Sequence, residues 1–578
     1  MTGPRRSGLI DWLRRERILL IGNGPLADEI TNAFERAGRP LYRNAEQHLT
    51  RRGRDIGATL ILTDLSARAL TLIRGLAPRR VILVADGREP PAVPSGLADL
   101  PCATVAIEST AARALLLRWP LHEGFDRAFG QIPHLVVAGR DAPADALIGQ
   151  ALRLMHYGGE RPWLTLVSND PAGYRSALLA AYPSVNRIAQ LRFAELARPC
   201  EPTDPPVTAM FVCLRPAARA LAVAERLRDA VQAGQSVSPP IQVEIGAAEP
   251  GGTIDDWDGQ IRPFSYRRMA CCPTALLDQR DDDLAQIVHD HYRDTIAAQG
   301  RDPNQAPAGR PWEQLDDSYR RASRQQADHL WAKLALCDTA ARPEEQVESF
   351  RFAPLEVERL AEIEHSRWAA DRYLDGWTHG TIRDNQRRHH PQLVPYAELS
   401  GPMKDLDRFA VRLTPVLLAR FGRAMARMLI IGVPDADIDP GDRWDQVSDR
   451  VLARLAERYP DRALVLAGPF TTTAAQTLAR LGRAHYDASL FLVAPVPVAE
   501  TLAAQRDRET RRAWLELVAQ VDRRITVPGQ SALAEWFARR AQILIRIGVK
   551  GTSVARADGL KQVWIDPATG TAEWGFEY

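Results

Sequence analysis

Short apolar runs alternate with amphipathic stretches at both ends of this chain, and the alternation stops in the middle. Over the first 130 residues "RILLIG", "TLILTDL", "RVILVADG" and "ATVAIE" are separated by segments such as "LADEITNAFERAG". Apolar runs spaced by helix-length segments are what a parallel sheet with crossover helices requires. A second series runs from "HLVVAGRDAPADALIGQALRLM" through "WLTLVSND", "RIAQLRF" and "AMFVCL" to "IQVEIG". A third runs from "RMLIIGVP" through "ALVLAGPF", "SLFLVAPVP" and "ILIRIG" to "QVWID". The expected fold class is α/β multidomain. Two tandem Rossmann-like modules occupy 14–130 and 131–250, an all-α module occupies 311–422, and a C-terminal Rossmann-like module occupies 427–578.

Residues 251–310 read as a linker with one helix, because Gly-, Pro- and Asp-rich text flanks "ALLDQRDDDLAQIVHDHYRDTIA". In the helical region, "PWEQLDDSYRRASRQQADHLWAKL" (311–334) and "PYAELSGPMKDLDRFAVRLTPVLL" (395–418) echo each other. Each has Pro followed by an aromatic, Leu four residues after the Pro, Arg thirteen after it, and a final Leu at the same offset. A duplicated helical half-unit explains this, and so does coincidence.

A length of 578 residues with 45% hydrophobic content suits roughly three to five domains with their own cores. The formal charge is only +2, so electrostatics points neither to long nucleic acid nor to a membrane surface. Only four of the 74 basic residues are Lys, an Arg bias read as genomic background. Six scattered cysteines, with no CxxC pair, suggest neither a disulfide framework nor a metal site, and fit a reducing cytosol. The start, "MTGPRRSGLIDWLRRERILLIG", has no apolar run long enough for a signal peptide or membrane span. A soluble, cytoplasmic protein is expected.

"ILLIGNGPLADEI" sets Gly22, Gly24 and Ala27 in a G-x-G-x-x-A pattern between a strand and a helix. Such glycines let backbone N–H groups approach a pyrophosphate at a helix N-terminus, and they equally serve as a turn kept for packing. Where dinucleotide sites carry an acid for the ribose, "RPLYRNAEQ" offers Arg43, which suits a phosphate better. The second series puts Asp141 where its second glycine belongs and ends its next strand with Asp170, so it reads as a structural partner. The two modules resemble the TrkA-type NAD-binding domains of bacterial potassium-channel regulators. That resemblance implies a ligand-responsive regulatory domain with NAD or another nucleotide as cofactor, while Arg43 and Asp141 depart from its pattern.

In "PLEVERLAEIEHSRWAADRYLDGW", Pro354 suits a first helical turn, Glu356 and Glu358 its N-terminal end, and Gly376 a left-handed stop. His365, Trp368 and Arg372 fall at i, i+3 and i+7, while Leu360, Ile363 and Leu374 line a neighbouring face. After Trp377, "TIRDNQRRHHPQLVPY" carries Arg383, Arg387, Arg388, His389 and His390 and ends at Tyr396. Guanidinium groups pair with phosphate and aromatic faces stack on bases, but tryptophans also anchor cores and loop arginines are often merely solvated. The motif of His, Trp three residues on, Gly-Trp, a second Gly and Pro-x-Leu-Val-Pro-Tyr, continued by "PMKDLDRFAVRL", resembles the ryanodine-receptor repeat, or RyR domain, over about 350–422. This resemblance implies recognition of a nucleotide-like signal. Pro415 is expected to kink the last helix of the module.

"LVLAGPFTTTAAQTL" and "ILIRIGVKGTSVARADG" bring Thr471, Thr472 and Thr473, and Lys550, Gly551 and Thr552, to strand ends where open α/β sheets bind ligands. Threonine N-capping accounts for the first equally well, leaving Lys550–Thr552 as the candidate phosphate contact. The layout is similar to the SLOG superfamily, which includes nucleotide sensors and phosphoribohydrolases. The hydrolase pattern has Glu three residues after its Thr, and here that residue is Ala555.

The expected function is therefore a non-enzymatic sensor of a nucleotide-derived small molecule, with no metal and with signalling to a protein effector. A nucleotide N-glycosidic hydrolase using Glu362 or Glu364 beside His365, and a soluble regulatory subunit of an ion-transport system, are the alternatives. A homo-oligomer is compatible with either.

Overall fold

Three separate sheets account for the alternating apolar runs. The computed structural model describes residues 18–43, 59–66, 69–70, 73, 78–126, 131–158, 160–199, 205–234, 239–246, 261–343, 350–436, 441–496, 498–505, 508–527, 529–548 and 560–576. The chain divides into two compact units, one of Met1–Arg118, Ala142–Gln150 and Ser265–Arg324, the other of Trp119–Asp141, Ala151–Phe264 and Gln325–Tyr578.

In the first unit β1 (Ile18–Ile21), β2 (Tyr42–Arg43), β3 (Thr59–Leu62), β4 (Arg80–Ala85) and β5 (Cys102–Ala106) form an all-parallel sheet in the order β2-β1-β3-β4-β5. β1 and β3 are buried along their whole length, as apolar runs without alternation require. Helix α1 (Pro25–Arg36) starts with Pro25 in its first turn and buries Leu26, Ala27, Ile30, Ala33 and Phe34 along one stripe. Strand order reverses between β1 and β3, which makes that pair the switch point of the sheet. Helix α2 (Ile107–Arg118) follows β5.

The second sheet holds β6 (His134–Ala138), β7 (Trp163–Ser168), β8 (Gln190–Glu195), β9 (Ala209–Val212), β10 (Ile241–Glu244) and β11 (Ile261–Phe264), all parallel. Its order, β11-β10-β9-β6-β7-β8, is the doubly wound order 3-2-1-4-5-6 when numbered within the sheet, with the switch point between β6 and β9. Helices α3 (Ala144–Leu154), α4 (Pro171–Ala181) and α5 (Ala217–Gly234) alternate with these strands.

The segment expected as a linker is only partly one. Residues 247–260 lie outside the described residues, but from Ser265 the chain is mostly helical and belongs to the first compact unit. Helix α6 (Tyr266–Ala270) packs along α2, Arg80 donates to the Leu277 carbonyl at 2.9 Å, and Arg113 reaches Asp282 just before α7 (Asp283–Ala298). These polar anchors, made by residues distant in sequence, leave no periodicity to read.

The module expected to be all-α is not, since strands join its helices: it contains α8 (Asp317–Leu336), β12 (Thr339–Pro343), α9 (Pro354–Leu374), a short parallel pair β13 (Thr378–His379) and β14 (His389–His390), α10 (Gly401–Arg412) and α11 (Thr414–Arg420). Helix α9 lies along α10 over Val357, Leu360, Ala361, Ile363 and Val411. The expected kink is a break at Leu413, between α10 and α11, where Pro415 enters the first turn of the second helix.

The third sheet joins β15 (Arg423–Gly432), β16 (Arg462–Gly468), β17 (Ser489–Ala494), β18 (Arg523–Thr526), β19 (Ile543–Ile547), β20 (Lys561–Asp566) and β21 (Thr571–Trp574) in the order β18-β17-β16-β15-β19-β20-β21. Neighbours are parallel except β21, and β12 adds antiparallel pairing to the first half of β15. Alternation along β15 sends Leu429 and Ile431 into a core with Trp444, Leu478 and Trp514, and Ile430 into the opposite core with Phe491, Trp536 and Phe537. The architecture is thus mixed α/β with several parallel sheets. No helix among the described residues is long and apolar enough to cross a membrane.

Candidate functional site

Helix α9 begins where Pro354 needs no intrahelical donor and the Glu356 carboxylate accepts from the Ala353 N–H at 2.8 Å. It ends at Gly376, which adopts φ 79°, with the Trp377 N–H donating back to the Arg372 carbonyl at 2.9 Å. Between these ends the helix carries two polar stripes, one residue apart.

The first stripe, Glu364, Arg367 and Asp371, is buried and forms an ionic layer. Lys333 Nζ of α8 lies 2.5 Å from Glu364 Oε2, and Arg367 donates to Glu364 Oε1 at 2.7 Å. Arg153 donates to Asp371 at 2.9 Å and to Asp375 at 3.2 Å. Burial alone would push the Glu364 carboxyl up, but Arg367 and Lys333 beside it hold it well below the usual carboxylate range. The ammonium of Lys333 is itself shifted down by burial, opposed by Glu364. Two buried histidines flank the layer: His329 Nε2 donates to the His156 carbonyl, and His156 Nε2 to the Leu152 carbonyl. Burial lowers His156 to about 4 and His329 well below its usual value, with Lys333 adding to the latter. Sequence reasoning missed this layer, whose one cue was a rare Lys inside the apolar text "HLWAKLAL".

The second stripe is the expected one, but its members do different work. His365 is buried, with Nε2 donating to the Val394 carbonyl at 2.8 Å and Nδ1 3.2 Å from Asp407, whose carboxyl burial pushes up. Tyr396 packs its ring 5.9 Å from that of His365 and donates its hydroxyl to Glu358, which Arg408 holds by two further bonds at 2.7 and 2.9 Å. Both residues, expected as ligand contacts, are spent on internal anchors. Their polar atoms already have partners, so they serve the fold first.

Trp368, Arg372 and Trp377 are all half-buried and come together. His390 stands between the indoles, 4.9 Å from the Trp368 ring and 6.1 Å from that of Trp377, edge-on to both. The Arg372 guanidinium lies 5.9 Å from the Trp377 ring centroid, and its Nε is buried without a hydrogen-bond partner. Burial, reinforced by Arg383 and Arg372, lowers His390 to about 4, so the ring is neutral at physiological pH. Arg383 and Arg387 are exposed, each tied loosely within its own turn, to Asn385 at 3.1 Å and to Asp384 at 3.9 Å. Arg388 is different. At φ 55° it donates Nη1 to the Asp375 carbonyl at 2.6 Å, so it staples the loop to the end of α9. The face made by Trp368, Trp377, His390, Arg372 and Arg383 is aromatic and cationic, suited to a planar ring bearing negative charge.

The glycine loop of the first sheet is more constrained than its pattern suggests. A side chain at Gly22 would overlap the Thr63 hydroxyl beyond β3, so Gly22 is needed for packing across the switch point. Gly24, at φ 91°, caps α1 with open space around it, and Ala27 is buried in the core. Arg43 pairs with Asp28 in the first turn of α1 at 2.5 Å. In the second sheet, Asp141 accepts from the Arg215 N–H at 2.7 Å, and Asp170 caps α4 by accepting from the Gly173 N–H at 2.9 Å. In the third sheet, Asp435 accepts from the Thr471 N–H at 3.0 Å and hydroxyl at 2.5 Å, while Thr472 caps helix α13, the next after α12 (Trp444–Arg458), over Thr473–Tyr486. Lys550, Gly551 and Thr552 lie outside the described residues.

Comparison with known families bears on the helical module. Residues 354–427, from the first turn of α9 to the start of β15, match the RyR domain.

Proposed function

We propose that this protein binds a nucleotide-derived small molecule at the aromatic and cationic face of its RyR-like module and acts as a regulatory sensor rather than an enzyme. The observation that carries this is the half-exposed set of Trp368, Trp377 and neutral His390 beside Arg372, whose Nε has no protein partner. Aromatic faces accept a base and guanidinium groups accept phosphate, as in NAD, ADP-ribose or a cyclic nucleotide. The sheets enter the proposal as Rossmann-like modules, TrkA-N-like over 14–130 and SLOG-like over 427–578, which respond to occupancy and pass it to a protein effector. A cytoplasmic location belongs to the same proposal.

The rival hydrolase reading is weakened by Glu364, which is buried between two cations and held ionised, and so is badly placed to donate a proton. Calorimetry on the full chain with NAD, ADP-ribose and cyclic nucleotides tests the proposal. Saturable binding by at least one of them, weakened at least tenfold in Trp377→Ala, is the expected result. No heat and no thermal shift from any of them would overturn it.

A further inference from the structure

Two stretches of the chain superpose in chemistry although only one of them is covered by the family match. In the second, His365 Nε2 donates 2.8 Å to the carbonyl of the residue before Pro395; in the first, His289 Nε2 donates 2.7 Å to the carbonyl of Arg310, the residue before Pro311. The following aromatics, Tyr396 and Trp312, both sit 5.9 Å from their histidine with an interplanar angle of 54°. Seven residues before each histidine stands an acid, Glu358 or Asp282. An arginine grips it with two bonds, Arg408 at 2.7 and 2.9 Å and Arg324 at 2.8 and 2.6 Å. Three residues after each histidine is an aromatic, Trp368 or Tyr292, tilted by 33° to it in both cases. Each Pro-aromatic pair opens a 3-10 turn, then a buried leucine, Leu399 or Leu315, then a helix.

We infer that residues 282–324 are a second, divergent copy of the half-repeat seen at 358–408. What the copies share is scaffold: the acid, the histidine, the Pro-aromatic turn and the gripping arginine. What the 358–408 copy alone has is the recognition element. Arg372 has Ile296 as its counterpart, and the segment 299–310 forms only two 3-10 turns where 375–394 builds the β13–β14 loop with Trp377, Arg383 and His390. The site therefore belongs to one copy, and its ligand is a planar ring carrying phosphate, contacted by Arg372, Trp377, Arg383 and His390. That last step rests on the proposed ligand-binding function; the duplication does not.

The test uses the full chain in two arms. Thermal melting of His289→Ala and His365→Ala is expected to show a loss of stability in both, relieved in His289→Gln and His365→Gln, which keep a donor for the turn carbonyl. Either alanine variant melting like the wild type overturns the shared scaffold, whether or not any ligand binds. In the second arm the triple variant Arg372→Met, Trp377→Leu, Arg383→Met is expected to melt like the wild type and bind ADP-ribose and inorganic pyrophosphate at least tenfold more weakly. Wild-type affinity in the triple variant, or lost binding in His365→Gln with its stability intact, overturns the assignment of the site. Absence of binding by the wild type itself counts against the proposed function, and the melting arm still decides the duplication.

Discussion

Glu364→Gln is the sharpest perturbation of the helical module, because it keeps the side-chain shape and removes the carboxylate paired directly with both Lys333 and Arg367. All three groups are buried, Lys333 at 2% and Arg367 at 5% exposure, so the two cations cannot recover hydration without moving. Breaking a buried ion pair by removing one partner costs about 3–5 kcal/mol. For a cooperative unit of about 150–250 residues, each kcal/mol moves the melting midpoint by roughly 2–4 °C, so a fall of roughly 6–20 °C is expected. Near-ultraviolet circular dichroism is the readout, since Trp368 and Trp377 lie on the same helix and its following loop. Two companions fix the cause. Lys333→Met with Glu364→Gln replaces the pair by apolar and neutral groups and is expected to recover much of the loss. Raising the pH to about 9 is expected to help the single variant, because Lys333, already shifted down by burial, then lacks the Glu364 carboxylate that held its proton. A fall below about 2 °C, or a double variant worse than the single, would refute the claim that Glu364 balances these cations.

Other outcomes follow from the same physics. His134 and His156 are buried with pKa values lowered to about 4, and an unfolded histidine titrates near 6.5. The unfolded chain therefore binds more protons between these values, and stability falls as the pH drops from about 6.5 to 4, by on the order of a few kcal/mol. Melting midpoints across that range measure it, and His156→Gln should flatten the slope. Gly22→Ala is expected to lower the melting midpoint of the first unit markedly, with partial rescue by Thr63→Ala, whereas Gly24→Ala meets only its unfavourable φ; equal effects at the two positions would argue against the packing role. Asp170→Ala removes the cap of α4 and should cost about 1 kcal/mol in denaturant unfolding.

The strands written as apolar runs and the bounds of α9 were legible because apolar runs, Pro354 and Gly376 act locally, whereas polar or short strands such as β11, β12, β18 and β21 were not. The echo between 311–334 and 395–418 was legible too, yet its meaning lay in hydrogen bonds from His289 and His365 to carbonyls far along the chain. Periodicity failed at a finer point. Glu364, Arg367 and Asp371 have the same i, i+3, i+7 spacing as His365, Trp368 and Arg372, so spacing alone could not say which stripe is buried. Packing of Lys333 against the first stripe decided it. Asp170, noted only as the acid ending its strand, carried a further cue, because Asp before Pro at a helix start is a capping signature. Strand order, which decides where each sheet has its switch point, is set by long-range pairing and leaves no local trace.

Open α/β sheets bind ligands beyond the carboxyl ends of their strands, at or near the switch point. In this chain the described residues there are engaged with one another: Gly22 closes on Thr63, Asp141 takes the Arg215 N–H, and Asp435 takes Thr471. A nucleotide approaching Asp141 or Asp435 would have to displace an internal hydrogen bond and offset its loss. At the RyR-like face the Arg372 Nε is unpartnered, although its Nη2 donates to Asp371 at 3.2 Å, and the rings of Trp368 and Trp377 are half-exposed. The proposed function then predicts a stoichiometry of one nucleotide per chain, lost when Arg372, Trp377 and Arg383 are replaced together. A second equivalent surviving that triple replacement would place binding on a sheet, and the loop around Gly24, where space is open at the start of α1, is where it should be sought.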